Sequence, residues 1–233
     1  MSSKSFQSNP GDTDPEIDPI RVELLSTEMP IHQIAKGGDE DIRIMRRKSS
    51  GQVELQWRID YNPAVGRPGQ LAYRLDTWVI KRRLSELPRP LSRLVRIGDL
   101  RQIARELKHG ADTAAVRRAF DQNAATFIRA KVRYRSKSGE DETLEGYFNR
   151  YNVFYRGHAL PGGRRAETVY ISLNDPYYGL LNKSYVRPLD FASLRQLPPS
   201  AQRFYELISP KRFAAQKNGR STAWLRYSDY CQY

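Results

Sequence analysis

Hydrophobic and polar positions begin to alternate after residue 52, and this period of two predicts a half-buried β-strand. The alternating apolar residues are Val53, Leu55, Trp57 and Ile59. Beyond a break rich in Pro and Gly, the apolar positions recur at helical spacing from Gln70 to Leu87. Pro88 and Pro90 predict the end of this helix, because proline lacks the amide hydrogen that the next turn needs.

Two shorter helices are predicted next, separated by a tight turn. Asp99 can cap the first of them, whose apolar residues follow the i, i+3, i+4, i+7 rule at Leu100, Ile103, Ala104 and Leu107. Gly110 suits the position just after its C-terminus. Asp112 or Thr113 can cap the second helix. Its predicted buried stripe is Val116, Ala119, Phe120, Ala124 and Phe127.

A hairpin is predicted to follow these helices. Residues 128–135 alternate between apolar and cationic side chains, and Gly139 suits the tip because it accepts a positive φ. A returning strand is expected over about Thr143–Tyr155, where unclean alternation leaves a bulge or two covered faces as alternatives, and another short strand over Thr168–Leu173. Helix, turn, helix and hairpin is the order of a winged helix, so the predicted fold class is α+β with a winged helix.

The charge is distributed unevenly along the 233 residues. The net charge is +13, yet residues 1–45 carry 4 basic and 9 acidic side chains, and the remaining residues carry 35 basic and 17 acidic ones. Residues 1–50 are therefore predicted to form a disordered acidic arm, because they are also rich in Ser, Gly, Asp and Pro. The basic body favours a polyanionic partner, most often nucleic acid. A membrane surface or an acidic protein is the alternative.

The sequence lacks features of membrane and secreted proteins. No apolar run approaches the length of a membrane span, and the single cysteine, Cys231, excludes an internal disulfide. We therefore expect a cytoplasmic protein with no membrane partner.

The exposed face of the second short helix carries candidate DNA-binding residues. In a helix-turn-helix this helix enters the major groove, where Arg pairs with guanine and Gln with adenine. The predicted contacts are Thr113, Arg117, Arg118 and Gln122. The alternative is an ordinary solvated face on which Arg117 pairs with Asp121 at i, i+4.

The hairpin supplies a second set of candidates. Its first strand places cations on one side, and a wing lies along the DNA backbone or enters the minor groove, so cations there neutralise phosphates. The predicted contacts are Arg129, Lys131, Arg133, Arg135 and Lys137. The alternative is a strand edge that charge protects from aggregation.

Catalytic motifs are missing from the sequence. It contains no phosphate-binding loop of the G-x-x-x-x-G-K-[ST] type and no His-x-His pair, and its three histidines are scattered. Tyr147, Tyr151 and Tyr155 are expected to pack in a sheet rather than to act as nucleophiles. We therefore predict no enzymatic activity, no cofactor and no metal.

The segment from Tyr170 onward carries a family resemblance. A Tyr-rich stretch (Tyr170–Tyr178) precedes Lys-x-Tyr-x-x-Pro-Leu-Asp (Lys183–Asp190), then Arg-Phe-Tyr-Glu-Leu (Arg203–Leu207), Pro210-Lys211 and Leu-Arg-Tyr-Ser-Asp-Tyr-Cys (Leu225–Cys231). In this order the matches resemble the plasmid and phage replication initiators often called replication initiator protein A. The resemblance covers roughly residues 52–233.

The resemblance implies two tandem winged helices that bind origin repeats in double-stranded DNA. It assigns residues 52–186 to the first domain and residues 187–233 to a partial second one, since the sequence reaches Tyr233 where the second helix-turn-helix should begin. A fragment, or a module completed by a partner, is expected. Host replication proteins and a homodimer are implied partners. A winged-helix transcriptional repressor, a DNA-nicking enzyme and an RNA-binding protein remain alternatives.

Overall fold

The computed structural model describes residues 19–23, 30–34, 42–47, 51, 53–135, 139–159, 165–183 and 186–224. Within them the fold is α+β, and every strand pair is antiparallel. The strands are β1 (Pro19–Glu23), β2 (Arg43–Arg47), β3 (Val53–Asp60), β4 (Leu94–Asp99), β5 (Phe127–Arg135), β6 (Asp141–Asn149), β7 (Tyr151–Ala159), β8 (Arg165–Leu173) and β9 (Val186–Asp190).

Six helices are found in the same residues. Helix α1 is continuous over α-helical Gln70–Arg74, π-helical Leu75–Ile80 and α-helical Lys81–Glu86. The others are α2 (Leu100–Glu106), α3 (Thr113–Ala124), α4 (Asp175–Lys183), α5 (Phe191–Gln196) and α6 (Pro199–Lys217). None of the helices described is long and apolar enough to cross a membrane.

The larger hydrophobic core lies between helices α1, α2 and α3 and a three-stranded sheet of order β4-β8-β7. Leu75, Ile103, Phe120 and Ile171 are fully buried there. The helical periodicity of the sequence supplies one side of this core, and the alternating residues of β8 supply the other. Burying each such side chain stabilises the fold by about 1.5–3 kcal/mol.

A second core lies on one face of a four-stranded sheet of order β2-β3-β5-β6. Ile44, Trp57, Ile128 and Phe148 bury their side chains on this face. Residues 30–34 contribute Ile31 to the same cluster, and Trp57 Nε1 donates a hydrogen bond to the Pro30 carbonyl at 3.0 Å. The predicted strands at residues 53–59 and 128–135 are confirmed as β3 and β5.

The turn between α2 and α3 fixes the angle between these helices. Asp99 caps α2 by accepting hydrogen bonds from the amides of Arg101 and Gln102, as the sequence predicts. The helix ends in a Schellman motif, in which the amide of Lys108 donates to the Arg105 carbonyl and that of His109 to the Ala104 carbonyl, both at 2.9 Å. Lys108 therefore occupies the left-handed position, at φ 58°. The prediction that Gly110 fills that position is wrong, although Gly110 also has a positive φ in the same turn.

The single returning strand predicted over residues 143–155 is wrong. The chain changes sheets between Asn149 and Tyr151, so β6 pairs with β5 whereas β7 pairs with β8. Arg150 lies at this break, and its buried side chain pairs with Asp76 at 3.0 Å. The irregular alternation of this stretch reflects two strands that face two different cores.

The disordered arm predicted for residues 1–50 is wrong for three stretches. Strand β1 pairs with β9 over Pro19–Glu23, and its Ile20 is fully buried in the larger core. Residues 30–34 cover the second core, and β2 forms an edge of the four-stranded sheet. Composition favoured disorder, but isolated apolar residues in this segment complete cores built by distant strands. The rest of the segment lies outside the described residues.

The C-terminal elements pack onto α1. Glu206 of α6 is fully buried, accepts a hydrogen bond from the Tyr73 hydroxyl at 3.1 Å and pairs with Lys81 Nζ at 3.2 Å. Trp78 Nε1 donates to Gln202 Oε1 at 3.2 Å. Leu189 and Phe191 join the larger core, so residues 186–217 share a packed interior with the preceding domain. A partial second winged helix beginning at residue 187 stays a prediction.

Candidate nucleic-acid interface

Helix α3 presents a defined face to solvent because its opposite face is anchored. Asp112 caps its N-terminus by accepting a hydrogen bond from the Ala115 amide at 2.9 Å. Val116, Ala119 and Phe120 are buried beneath it. The side chains of α3 that are accessible to a ligand lie between these buried positions. Phe127, predicted to extend the buried stripe, instead belongs to β5 and is partly exposed.

Arg117 contacts the three-stranded sheet through an ion pair and an aromatic ring. Its Nη1 lies 2.9 Å from Glu167 Oε2 on β8, and its guanidinium lies 3.9 Å from the centre of the Tyr155 ring on β7. The predicted alternative, an ion pair between Arg117 and Asp121 along the helix, is wrong. Arg117 keeps 43% of its side chain exposed, so it holds the helix against the sheet while remaining at the surface.

Tyr155 makes a second link between α3 and the sheet. Its hydroxyl donates to Asp121 Oδ1 at 2.7 Å and to the Arg117 carbonyl at 3.2 Å. Burial raises the pKa of this phenol well above its ordinary value, and the hydrogen bond to Asp121 raises it further. Tyr155 therefore stays protonated and keeps donating. The sequence suggested sheet packing for this residue, and its alternation gave no sign of a partner on the helix.

The other predicted contacts of α3 differ in their availability. Gln122 Nε2 donates to the Val65 carbonyl at 3.4 Å, and Thr113 is half-buried at the first turn. Arg118 is exposed and forms no ion pair within the described residues. Of the four predicted residues, Arg118 is thus the one that the structure leaves most available to a ligand.

Helix α2 and the residue that follows its C-cap carry three cations that the sequence did not single out. Arg101 and Arg105 lie on the helix and Lys108 lies in the turn after it; all three are exposed and form no ion pair within the part of the chain described. The signal for Arg101 and Arg105 was present, because these positions lie outside the apolar stripe that predicted the helix. Together with Arg118, they place four cations on the surface of the helix-turn-helix.

The hairpin next to these helices is not the predicted one. Strand β8 is paired with β4 on one side and with β7 on the other, so β7 and β8 form the hairpin of the helix-bearing sheet. Strands β5 and β6 belong to the four-stranded sheet instead. The assignment of β5–β6 as a free wing is therefore wrong, since β3 covers the edge of β5 along Leu55–Asp60. Arg156 on β7 is exposed.

The predicted wing cations lie on the outer face of the four-stranded sheet. Lys131 pairs with Glu145 at 2.7 Å and Arg133 with Asp141 at 3.6 Å, both across the β5–β6 pair. Arg129 is exposed, and its guanidinium lies 5.4 Å from the centre of the Tyr147 ring. Arg135 belongs to β5, and Lys137 lies outside the described residues. The unopposed row of positive charge that the sequence suggested is therefore partly neutralised.

A buried polar network fixes the C-terminal end of α3. Asn123 Oδ1 accepts a hydrogen bond from His32 Nε2 at 3.0 Å, and Asn123 Nδ2 donates one to the Ala72 carbonyl at 3.0 Å. Burial lowers the pKa of His32 to about 3, and the charges of Arg150 and Lys81 contribute. His32 is therefore neutral at physiological pH. Its Nε2 then carries the proton that Asn123 Oδ1 accepts.

Asp76 and Arg150 form the charged centre of this network. Burial alone would raise the pKa of Asp76, but the neighbouring charges of Arg150 and Lys81 outweigh it and hold that pKa at about 2. Asp76 Oδ2 lies 3.0 Å from Arg150 Nη1 and 4.0 Å from Lys81 Nζ. The ion pair ties the junction of the two sheets to α1, against which α3 packs.

The described residues show no grouping of three or more His, Cys, Asp and Glu side chains that could hold a metal ion. The three tyrosines considered as nucleophiles occupy different environments: Tyr151 is fully buried, Tyr155 is bound to Asp121, and Tyr147 is exposed. The ring of Tyr147 stacks on that of Phe127 on the neighbouring strand, with centroids 5.1 Å apart, so it packs on the sheet although it is exposed.

Comparison with known protein families finds no matching family, and no curated protein matches the sequence. Among solved structures, the crystal structure of domains 2 and 3 of RctB is similar, with a TM-score of 0.42 and 11% sequence identity over 90% of this chain and 83% of that one. At this score the likeness does not establish a shared fold.

Proposed function

We propose that the chain binds double-stranded DNA through a winged helix and acts as a replication initiator of a plasmid or mobile element. The observation that carries the DNA-binding part is the joining of the α2–α3 helix-turn-helix to the sheet β4-β8-β7. In this assignment α3 is the recognition helix and the β7–β8 hairpin is the wing. The β5–β6 hairpin is then an insertion between the recognition helix and the wing.

The charges near the helix-turn-helix support a phosphate-binding role. Arg101 and Arg105 lie on α2, Lys108 lies in the turn that follows it, and Arg118 lies on α3. In a helix-turn-helix the first helix crosses the DNA backbone while the second reads the groove. The cations of α2 would therefore contact phosphates, and Arg118 would reach a base edge, with guanine as its preferred partner.

Arg117 takes a different role in this proposal from that of Arg118. Its contacts with Glu167 and Tyr155 connect the recognition helix to both strands of the proposed wing. Because these contacts already join the two elements, DNA binding does not have to spend free energy on ordering them. This favours high affinity and a fixed register on the duplex. Arg117 and Glu167 thus hold the recognition helix and the wing in position, and Arg118 contacts the base edge.

The replication role rests on the sequence resemblance of residues 170–231 to replication initiators. Such a protein acts by binding origin repeats and recruiting host replication proteins, without catalysis and without a cofactor. Distortion of the DNA would assist strand opening. We place the protein in the cytoplasm, where its DNA target would be. A homodimer would match repeated half-sites.

The proposal is tested by selecting duplexes from a random library with the full chain and then footprinting the enriched sequence. We expect one short motif, protected on the face that Arg118 contacts, and loss of enrichment with Arg118→Ala. Arg212→Ala, an exposed charge removal on α6, is the matched control. A replicon carrying repeats of the motif should then depend on the protein for maintenance. Occupancy that silences a promoter without supporting maintenance would favour a repressor.

A further inference from the structure

The three-stranded sheet β4-β8-β7 has one covered face and one exposed face. Helices α1, α2 and α3 pack on its inner face, where Val95, Ile171 and Tyr151 are buried. Side chains alternate along a strand, so the residues between these positions project to the outer face. On that face Leu94 is 55% exposed and Phe154 is 52% exposed. Within the described residues, the sheet therefore presents apolar side chains to solvent.

One row of paired residues crosses this outer face. Arg96 on β4 lies opposite Tyr170 on β8, and Tyr170 lies opposite Phe154 on β7. Paired residues of neighbouring strands project to the same face, about 4.8 Å apart. The row thus places two aromatic side chains next to each other, with a guanidinium group at one end. Leu94 lies one position along β4 on the same face and extends the apolar surface.

The charged residues of this outer face are mainly cations. Arg96 and Arg156 are exposed and form no ion pair within the part of the chain described. The carboxylate of Asp99, at the end of β4, caps α2 by accepting hydrogen bonds from the amides of Arg101 and Gln102. An anionic partner is therefore favoured on this face.

The outer face of the four-stranded sheet shows the difference. There the cations are neutralised across the β5–β6 pair, since Lys131 pairs with Glu145 at 2.7 Å and Arg133 with Asp141 at 3.6 Å. Such cross-strand ion pairs are the usual way in which a solvated sheet face balances its charge. Arg96 has no such carboxylate within the described residues, although it lies beside exposed apolar side chains.

We infer that the outer face of β4-β8-β7, formed by Leu94, Arg96, Phe154 and Tyr170, binds single-stranded DNA. Bases stack on accessible aromatic rings, and neighbouring cations bind the phosphates that connect them. Phe154 and Tyr170 supply rings for adjacent bases, and Arg96 supplies the cation at the end of the same row. Leu94 provides apolar contact beside them.

Two other occupants fit this face less well. A duplex hides the flat surfaces of its bases and presents mainly phosphates, so it would not use the rings of Phe154 and Tyr170. A second copy of the chain, packed face to face, would bring the arginines of both copies together, and like charges oppose such an association. A single strand uses the rings and the cations together.

The inference rests on the proposed function for the choice of DNA over RNA. An initiator that opens a duplex produces single strands beside its own binding site, and a surface that holds one of them would oppose reannealing. The helices cover the inner face of the sheet, whereas Phe154 and Tyr170 project from the outer face. Variants of these rings therefore test single-strand binding without removing a proposed duplex contact of α2 or α3.

The test measures fluorescence anisotropy of a labelled 15-nucleotide dT strand and, in parallel, of a labelled duplex. Phe154→Ala should weaken dT binding roughly 5- to 150-fold, the range for losing one stacked base, and should leave duplex affinity within about twofold. Phe154→Tyr should retain dT binding because it keeps the ring, whereas Phe154→Leu should weaken it because an apolar side chain cannot replace stacking. Arg96→Ala should weaken dT binding and reduce its dependence on the logarithm of salt concentration by about 0.7.

Control variants distinguish this face from other exposed positions. Phe213→Ala removes an exposed ring of α6 and Arg212→Ala an exposed charge of the same helix, so both should bind dT as the wild type does. Thermal melting of each variant confirms that it is folded.

Three outcomes would overturn the inference. They are unchanged dT binding by Phe154→Ala and Arg96→Ala, tighter binding of a 15-nucleotide U strand than of dT, and wild-type dT binding that Phe154→Leu retains in full. Sedimentation that shows self-association lost in Phe154→Ala, without dT binding by the wild type, would assign the face to a second copy instead. Wild-type protein that binds dT through these residues but binds no duplex contradicts the proposed function and leaves this surface established.

Discussion

The guanidinium of Arg117 on α3 lies 2.9 Å from the carboxylate of Glu167 on β8, above the ring of Tyr155. This contact joins the proposed recognition helix to the proposed wing. Because Arg117 and Glu167 are both partly exposed, the ion pair itself contributes at most about 1 kcal/mol to stability. In the proposed function, its importance lies in fixing the position of the recognition helix relative to the wing.

Glu167→Ala should therefore affect discrimination more than stability. Removing an acidic side chain increases the net positive charge, so affinity for random duplex should stay equal or rise. The ratio of specific to random affinity should fall several-fold, because Arg117 loses the partner that holds it. Competition binding with the selected motif and a scrambled duplex measures this ratio. An unchanged ratio would mean that the contact does not position the interface.

Arg118→Ala should weaken binding to the selected motif by about 1–3 kcal/mol, which is the range for losing one base contact. The same change should weaken binding to random duplex much less, since one phosphate contact among several is the most it can remove. Isothermal titration with both duplexes measures the difference, and Arg212→Ala supplies the control for charge. Equal losses on both duplexes would reduce Arg118 to a phosphate contact.

Asp76→Ala should be strongly destabilising. It leaves Arg150 buried without its carboxylate partner, and breaking a buried pair from one side costs about 3–5 kcal/mol. Urea denaturation measures the change in the free energy of unfolding. The double variant Asp76→Ala with Arg150→Ala should lose less than the two single losses added together. Strict additivity would show that the two residues act independently.

Stability should fall as the pH decreases below about 6.5 because of His32. Burial holds its pKa at about 3 in the folded protein, below the ordinary value of 6.5. Between these values the unfolded chain binds a proton that the folded chain does not, so the free energy of unfolding falls by up to about 1.4 kcal/mol per pH unit. Asp76, with its pKa of about 2, adds a further loss below about pH 3.8.

Replacing the histidine isolates its contribution. His32→Gln should flatten the dependence of unfolding free energy on pH between 6.5 and 5, measured by urea denaturation at each pH. The variant can be less stable overall because it loses packing against Tyr73, whose ring lies 5.5 Å from that of His32. The deciding quantity is the slope of the unfolding free energy against pH. Parallel plots for the wild type and the variant would contradict a buried neutral His32.

Local patterns predicted most of the elements between residues 53 and 135. Asp99, Asp112 and the apolar stripe of Val116, Ala119 and Phe120 all act as local physical chemistry requires. These features involve neighbours within a few residues, where side-chain spacing and backbone hydrogen bonding decide the structure. The helix-turn-helix was therefore readable from the sequence.

Pairing between distant strands was not readable in the same way. A row of alternating residues shows that β5 and β6 are strands, but not that β3 will pair with β5 and β2 with β3. Likewise, the buried ion pair of Arg150 and Asp76 joins residues 74 positions apart, so irregular alternation alone could not place the break between β6 and β7. For this reason the sequence could not show that β5 and β6 belong to the four-stranded sheet.

The candidate site was predicted unevenly for a related cause. Arg118 was found because it lies on a face that periodicity defines, and the same periodicity could have revealed Arg101 and Arg105. The partners of Arg117 could not be found, because Glu167 lies 50 residues away on β8. Charge at a position is visible in the sequence, whereas neutralisation by a partner depends on the fold.

The salt dependence of duplex binding tests the central claim most directly. If Arg101, Arg105, Lys108 and Arg156 neutralise about four phosphates, the logarithm of the association constant should fall with the logarithm of salt concentration with a slope of about −3.6. Affinity would then fall roughly 150-fold between 50 and 200 mM salt. Anisotropy of a labelled duplex measures the slope. A slope near zero, or no duplex binding at low salt, would contradict DNA binding through this interface.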